Sequence, residues 1–526
     1  MKNSFLKGAV ILVIANFIVK FIGVIYKIPL GNLLSGDGMA YFTAAFDIYL
    51  LLLAFSTAGL PVAVSKMVSE SYALRRFSEM EKIFNIALIS FVSFGFLGSL
   101  LMFFGADAFA NFIEIPLSAL SIKALSPSVF FFSIIAIYRG YFQGMNNMNP
   151  TALTQILEGF SKFFIGIGIT IVLVNLGYDA EILSAGAILG TTFSTLVAVI
   201  LLILIYNSKT NRQKVLRNKN SNTTCRSSKQ IFKDLIKIVV PITIGSLIVN
   251  LTGFLDLFLI MNRMIASGVS EQLAEFSYGS YKGYAYTIFN LPPSIITSVN
   301  ISLIPLISGA YALGDFASLE KTINKSLKVI VLFTFPCAIG LMAIPGPILS
   351  MLYPSRPDEV AIATPLLAVL GFTVILTTLS SFTTIILQST GKINLPIYSM
   401  LIGSVVKLIL NYILIAIPTI AILGAPISTT ICYLIILSIN SYYIKKYTNC
   451  KIYLKESLMR PMIASLIMGV ITILSYKLLI LVPFLGASVS TFLTICISAV
   501  SYFFVSIQIK ALTRADIDLV TKRNGA

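Results

Sequence analysis

The stretch GAVILVIANFIVKFIGVIYKIP, residues 8–29, decides the fold. Charge enters it only at Lys20 and Lys27, and the run is long enough to cross a bilayer as one α-helix, for which about 20 apolar residues suffice. Asn16 and Lys20 interrupt it and no small-x-small cleavage site follows, so it reads as a retained first helix rather than a secretory leader. Working outward, runs of the same kind recur at 39–64, 83–105, 121–142, 150–175 and 182–206. Others follow at 234–260, 283–308, 327–349, 361–387, 395–416 and 420–444, with a last pair near 459–482 and 486–509. None shows the dyad alternation of a barrel strand. The expected fold class is an all-α polytopic membrane protein of about 14 transmembrane helices.

Composition agrees. With 57% hydrophobic and 11% charged residues and a mean hydropathy of +0.92, the 526-residue chain is no soluble globule. A net charge of +17 would suit a nucleic-acid binder if Lys and Arg clustered on a folded polar domain. Here they flank spans, so the bilayer is the expected partner and nucleic acid is not. Histidine is absent and the five cysteines form no CxxC pair, so neither a zinc nor a haem cofactor is expected.

The basic residues set the topology. Lys66, Arg75, Arg76 and Lys82 fall between the second and third spans, nine basic residues lie from Lys209 to Lys237, and Lys445, Lys446, Lys451, Lys455 and Arg460 precede most of the thirteenth. The stretches 30–38, 105–120 and 176–182 contain Asp37, Asp107, Glu114, Asp179 and Glu181 and no Lys or Arg. The positive-inside rule then puts both termini in the cytoplasm of a multi-pass plasma-membrane protein. Basic residues of the outer connections are few: Lys123, Arg263, Lys282, Arg356 and Lys477.

The longest polar stretch, about 207–230, contains RNKNSNTTCRSSK from Arg217 and divides the chain. Gln143, Asn149 and Lys162 recur as Gln388, Asn394 and Lys407 at an offset of 245. Lys7, Ile18-Val19 and Gly23 recur as Lys237, Ile248-Val249 and Gly253 at an offset of 230. Two echoes favour an internal duplication. The expected organisation is a six-helix lobe at 1–206, a basic cytoplasmic linker at 207–230, a pseudo-symmetric six-helix lobe at 231–446, and helices thirteen and fourteen with a cytoplasmic tail at 447–526.

Chemistry is sought where charge sits at membrane depth. Lys20, Lys27, Lys162 and Lys407 lie inside apolar runs, where a lipid-facing Lys costs roughly 2.5–3.5 kcal/mol. A water-filled cavity removes most of that cost. Lys20 and Lys27 are nearly two turns apart and share a helix face, ~10 Å from each other along the axis. Beside Pro29, Lys27 can instead snorkel to the interface. Acidic counterparts are Asp47, Glu158 and Asp256. Glu158 and Lys162 stand at i, i+4, so a local ion pair competes with any role in coupling. Asp256 must pair across helices, bind a cation or stay protonated; Lys407, with Asn411 one turn on, is a candidate partner. Gly59-Leu60-Pro61 and Leu291-Pro292-Pro293 break helices at a cavity or set packing kinks. Lysines are point-charge partners for phosphate. No His, Cys or paired-carboxylate site offers hydrolysis, so an enzyme is not expected.

Four strings are together specific at family level: FLKGAVILVIANFIVKFIGVIYKIPLGN from Phe5, GLPVAVSKMVSE from Gly59, NLPPSIITSVNISLIPLIS from Asn290 and QSTGKINLPIYS from Gln388. They resemble the SpoVB/YtgP branch of the MurJ-like flippases, in the multidrug/oligosaccharidyl-lipid/polysaccharide (MOP) exporter superfamily. The resemblance covers most of spans one to twelve. It implies a MATE/MOP-like pair of six-helix lobes around a cationic cavity, and transport of an undecaprenyl-pyrophosphate-linked saccharide, lipid II in the best-known members, to the outer leaflet. It also implies a lipid-tail groove at helices thirteen and fourteen, and cell-wall synthesis proteins as companions. The family's Gram-negative members carry arginines where this chain reads Leu51-Leu52-Leu53 and Ala285-Tyr286-Thr287. The anion site is therefore expected to rest on Lys20 and Lys27, assisted by Asp47, Arg139 and Lys282. Glu158, Lys162, Asp256, Lys407 and Asn411 are expected to couple or gate, with sodium or the membrane potential as the driving source. Alternatives are a flippase for another polysaccharide unit or spore-cortex precursor, and a drug/cation antiporter of the same superfamily.

Overall fold

The computed structural model describes residues 2–208, 226–448, 454–482 and 484–512. Most of the linker expected at 207–230, and the tail beyond 512, lie outside these. Among the described residues there is no strand. The first helices are α1 (Lys2–Leu33), α2 (Gly36–Thr57), α3 (Leu60–Ala73), α4 (Phe77–Phe104), α5 (Ala106–Phe112), α6 (Ala119–Leu125), α7 (Pro127–Gly144), α8 (Asn149–Asn175) and α9 (Ala180–Asn207). Then come α10 (Ser228–Ala266), α11 (Glu271–Gly279), α12 (Leu291–Ala312), α13 (Phe316–Ala343), α14 (Pro345–Leu352), α15 (Pro357–Ser389), α16 (Asn394–Leu414), α17 (Gly424–Thr448), α18 (Leu454–Leu479) and α19 (Ala487–Gln508).

Thirteen helical stretches among the described residues are long and apolar enough to cross a membrane, and the protein is a multi-pass membrane protein. The eighth span, expected at 283–308, is carried by the 22-residue α12 behind a broken lead-in. There the chain passes from α11 through a π-helical turn, Ser280–Ala285, and a short turn, Tyr286–Phe289, before α12 begins. Pro292 and Pro293 lack the N–H groups that would continue the ladder, so the helix restarts at Leu291. The second span is interrupted in the same way. Ser35 caps α2 by accepting from the Gly38 N–H at 3.3 Å, α2 stops at Thr57, and α3 restarts with Pro61 in its first turn.

The helices form two compact units, one of Met1–Ile265 with Val269–Gly279, the other of Ala266–Gly268 with Ser280–Ala526. In the first, Phe84 of α4 gathers the rings of Tyr138, Tyr141 and Tyr206 at 5.0, 5.0 and 4.9 Å, each aromatic pair adding about 0.5–1.5 kcal/mol beyond burial. Helices α8 and α9 touch backbone to backbone: a Cβ on Gly190 would fall 2.3 Å from the Gly166 Cα. Such small-residue contacts drive association where lipid is as apolar as the helix surface.

The second unit is held by an apolar core around Ile323, Leu327, Ile330, Phe382 and Ile386, and by hydroxyl and amide bridges. Asn440 accepts from Ser399 and donates to Thr384 at 3.0 Å, and the Thr373 and Thr430 hydroxyls meet at 2.6 Å. The last two helices belong to this unit: Thr472 of α18 meets Ser498 of α19 at 2.7 Å, and Tyr502 donates to the Leu332 carbonyl at 2.8 Å.

Candidate functional site

Charge concentrates in the first unit, around α8. Arg139 of α7 is buried, 8% exposed, and its guanidinium lies 2.9 Å from the Glu158 carboxylate while its Nε donates to Thr154 at 3.3 Å. Glu158 thus takes Arg139, not the lysine one turn along its own helix, as its close partner. Lys162 sits over two rings, 4.5 Å from the centroid of Phe46 and 5.2 Å from that of Tyr26. The Tyr26 hydroxyl is fixed by donating to the Ala187 carbonyl at 3.1 Å. Lys162 also lies within electrostatic reach of Lys27 and of Glu158. Two ammonium groups, a guanidinium and one carboxylate therefore share one region of helices α1, α7 and α8. An aromatic face attracts a nearby ammonium, so the Tyr26 and Phe46 rings form a seat for Lys162.

The other expected residues fall as follows. Lys20 is at an exposed position of α1 and Lys27 is half-buried. Asp47 of α2 accepts from the Tyr278 hydroxyl at 3.0 Å, and Asp256, 2% exposed, lies within electrostatic reach of the same tyrosine. In the second unit Lys282 stands in the π-helical turn with its ammonium 5.2 Å from the Tyr286 ring. Lys407 of α16 is within electrostatic reach of Tyr433, and Asn411, one turn on, is fully buried. Asp256 and Lys407 belong to different units.

Sequence reasoning passed over Tyr26, Thr154 and Tyr278. The available signal was polar side chains at helical spacing from the charged ones, as Thr154 stands one turn before Glu158. It also missed a carboxylate ahead of the eighth span. Glu275 of α11 is buried and accepts from the Tyr41 hydroxyl at 3.1 Å. Burial, reinforced by Asp37 and Glu271, pushes its carboxyl up to about 7, while the Tyr41 hydrogen bond opposes the shift. Close packing surrounds it, since a Cβ on Gly279 would fall 1.8 Å from the Gly36 carbonyl oxygen.

Interrupted membrane helices around buried cations and aromatic rings define the class: an all-α, multi-pass membrane protein. Solved structures share that fold. "Lipid II flippase MurJ, inward closed conformation" superposes with a TM-score of 0.72 at 17% identity, covering 94% of this chain and 98% of that one. An inward-facing multidrug resistance MATE family transporter of the MOP superfamily gives 0.70 at 16% identity, covering 83% and 98%. The profile described as "Polysaccharide biosynthesis protein" matches residues 5–310 and the MatE profile residues 241–413. The chain belongs to the polysaccharide biosynthesis protein family of the MOP superfamily. Among curated relatives, "Lipid II flippase MurJ" of Bacillus subtilis (strain 168) is 24% identical over 89% of this chain and 88% of its own. "Stage V sporulation protein B" of the same organism is 25% identical over 86% of each.

Proposed function

We propose that this protein is a flippase that carries a polyprenyl-pyrophosphate-linked saccharide, lipid II or a related peptidoglycan precursor, from the inner to the outer leaflet by alternating access. The observation that supports this reading best is the basic cluster of Lys27, Lys162 and Arg139 at membrane depth, in a chain that aligns over 89% of its length with a lipid II flippase. Lys20 and Lys27 supply point charges for the pyrophosphate oxygens. Lys162 adds to the positive field from its aromatic seat. Arg139, held by Glu158, is oriented as a positioning group, and Asp47 of the same unit contacts the polar head of the substrate. No bond is made or broken in such a cycle.

The cycle needs a drive. The two positive charges of Lys20 and Lys27 in an empty site feel the membrane potential, negative inside, at ~2.3 kcal/mol per charge per 100 mV. Up to about 5 kcal/mol then draws the empty site towards the cytoplasm, and a pyrophosphate of opposite charge neutralises it for the outward step. A sodium ion gradient is the other option, with Asp256, Glu158 and Lys162 as coupling or gating groups of the first unit and Lys407 and Asn411 as those of the second. Collapsing the potential with valinomycin and potassium should stall turnover, and collapsing the pH gradient alone should not. Full activity without potential or any ion gradient would overturn this drive.

Depleting the protein and identifying the lipid-linked intermediate that builds up in the inner leaflet tests the substrate. A spore-cortex precursor in its place would favour the reading suggested by similarity to the sporulation protein. A third reading, drug/cation antiport, draws on the MatE match and on 25% identity over 39% of this chain to "Multidrug export protein MepA" of Staphylococcus haemolyticus. It would need an acidic rather than a basic binding cluster, and loss of the protein would then raise drug susceptibility with no build-up of precursor. Both termini are proposed to be cytoplasmic. Cysteines at Asp37 and Asp179 should react with impermeant thiol reagents in intact cells, and one at Lys446 should not.

A further inference from the structure

A second polar feature lies in the second unit, away from these lysines. A cavity of about 280 Å³ opens where α14 and the start of α15 meet the end of α18 and the start of α19. Five hydroxyl-bearing residues contribute to its wall: Ser350, Tyr353, Tyr476, Ser488 and Thr491; Met351 and Val360 are among the apolar ones. Tyr353 is 0% exposed and its hydroxyl oxygen has no hydrogen-bond partner. Its ring packs edge-on against Tyr284 at 4.7 Å, so the hydroxyl is held in place. A buried hydroxyl left without a partner is costly and calls for an explanation.

Two further observations point to the same chemistry. Helix α19 begins at this wall with Gly486 as its N-cap, which offers no side chain to the first-turn N–H groups, and Ala487 and Ser488 of that turn line the cavity. Such a terminus presents donors and partial positive charge. Arg356 immediately precedes the lining residue Pro357 and Lys477 immediately follows Tyr476. These are two of the five basic residues in connections expected to face outside, and Asp358 and Glu359 lie in the first turn of the same α15. Arg356 is also 3.9 Å from Glu359, while Lys477 is exposed. The Tyr353 hydroxyl, the uncapped start of α19 and the apolar walls together fit a phosphate or ester oxygen attached to an apolar body.

Position indicates the source of that group. Helices α15 and α19 begin at the cavity and α18 ends there, and all three are membrane-crossing stretches. The site is thus at headgroup depth, on the side remote from the basic 445–460 stretch. Leu478, Leu481 and Phe484 beside it are strongly exposed apolar residues, suited to rest in the bilayer. We propose that this cavity binds the phosphate headgroup of an anionic phospholipid of the outer leaflet, as a site separate from that of the transported lipid.

Native mass spectrometry of the purified full chain tests this with phosphatidylglycerol, diacylglycerol and inorganic phosphate as probes. The expected result is one phosphatidylglycerol held at least about tenfold more tightly than diacylglycerol, since diacylglycerol lacks the charged acceptor. Tyr353→Phe should weaken it about tenfold, and Lys477→Gln, an exposed change that leaves the fold intact, about fivefold. Lys20→Gln should leave this binding unchanged. Equal binding of diacylglycerol, or undiminished binding in Lys477→Gln and in a folded Tyr353→Phe, would overturn the proposal. So would weakening by Lys20→Gln, which would put the lipid at the transport site. Displacement by millimolar inorganic phosphate alone would make the cavity an ion site and overturn the lipid assignment.

Discussion

Lys162 and Lys407 occupy equivalent places in the repeat read from the sequence, yet their surroundings differ. Lys162 rests over Tyr26 and Phe46 beside the Arg139–Glu158 ion pair. The offset of 245 carries Arg139 onto Thr384 and Glu158 onto Gly403. Thr384 accepts a hydrogen bond from Asn440, and Gly403 is so closely packed that a Cβ would lie 2.7 Å from the Ile436 side chain. The offset of 230 carries Tyr26 onto Asp256, so an aromatic partner on one side matches an acid on the other. One scaffold position keeps its lysine while its neighbours change from ionic to close-packed. The difference carries the proposal that the two halves do different work, with an anion site in the first and coupling in the second.

The largest expected effect comes from reversing charge in the first half. Lys20→Glu or Lys27→Glu should abolish complementation of a flippase-depleted strain at normal membrane levels. Lys20→Gln should cost about 10–100-fold in turnover, the range for losing one charge-assisted hydrogen bond, and Lys20→Arg should retain more. Wild-type activity of Lys20→Gln would remove the asymmetry between the halves.

Next in size is the ion pair that only the first half has. Arg139→Gln or Glu158→Gln alone should lower unfolding stability by about 2–4 kcal/mol, somewhat below the range for a fully buried pair because Glu158 is a quarter exposed. Replacing both by apolar residues should recover most of it. Thr384→Ala, at the matching position, should cost only about 1 kcal/mol. Denaturation in detergent measures all four, and equal losses at Arg139 and Thr384 would erase the comparison.

A smaller effect is expected from Asp256 and Lys407, which the repeat matches to Tyr26 and Lys162. Asp256→Asn and Lys407→Gln should each impair transport, and the double variant should recover part of the loss, with a coupling energy of about 0.5–3 kcal/mol. Strict additivity would show the two residues to act independently.

The smallest expected effect is a pH dependence at Glu275. Its carboxyl is raised from 4.5 to about 7, so the folded state holds the proton more tightly than the unfolded chain. The stabilisation is complete below the ordinary carboxylate range and is lost as pH rises through about 7. Comparing the thermal unfolding of wild type and Glu275→Gln across that window should show a wild-type decline that the variant lacks. Parallel curves would remove Glu275 as its source.

Much of the fold was legible because membrane spans are written in long apolar runs, and two helix interruptions fall at Pro-containing motifs already conspicuous in the sequence. Gly59-Leu60-Pro61 interrupts the second span, and Leu291-Pro292-Pro293 the eighth. The site was less legible. Spacing along one helix favoured a Glu158–Lys162 pair, but helix packing brings Arg139 from α7 to Glu158 and frees Lys162 for the rings of α1 and α2. Contacts across helices depend on rotation and register, which periodicity within one helix does not record. Tyr353 illustrates the same limit: nothing in its local sequence distinguishes a buried hydroxyl on a cavity wall from a packed ring.

On the proposed function, the basic residues of the first half recognise the pyrophosphate of a lipid-linked saccharide. The most direct test of that recognition is a binding competition on the purified protein between undecaprenyl pyrophosphate and neutral undecaprenol, in wild type and in the Lys20→Gln/Lys27→Gln double variant. Wild type should prefer the pyrophosphate by about 100-fold or more, two charge-assisted contacts' worth, and the variant should lose most of that preference while still binding the polyprenyl chain. An unchanged preference in the double variant would contradict the account.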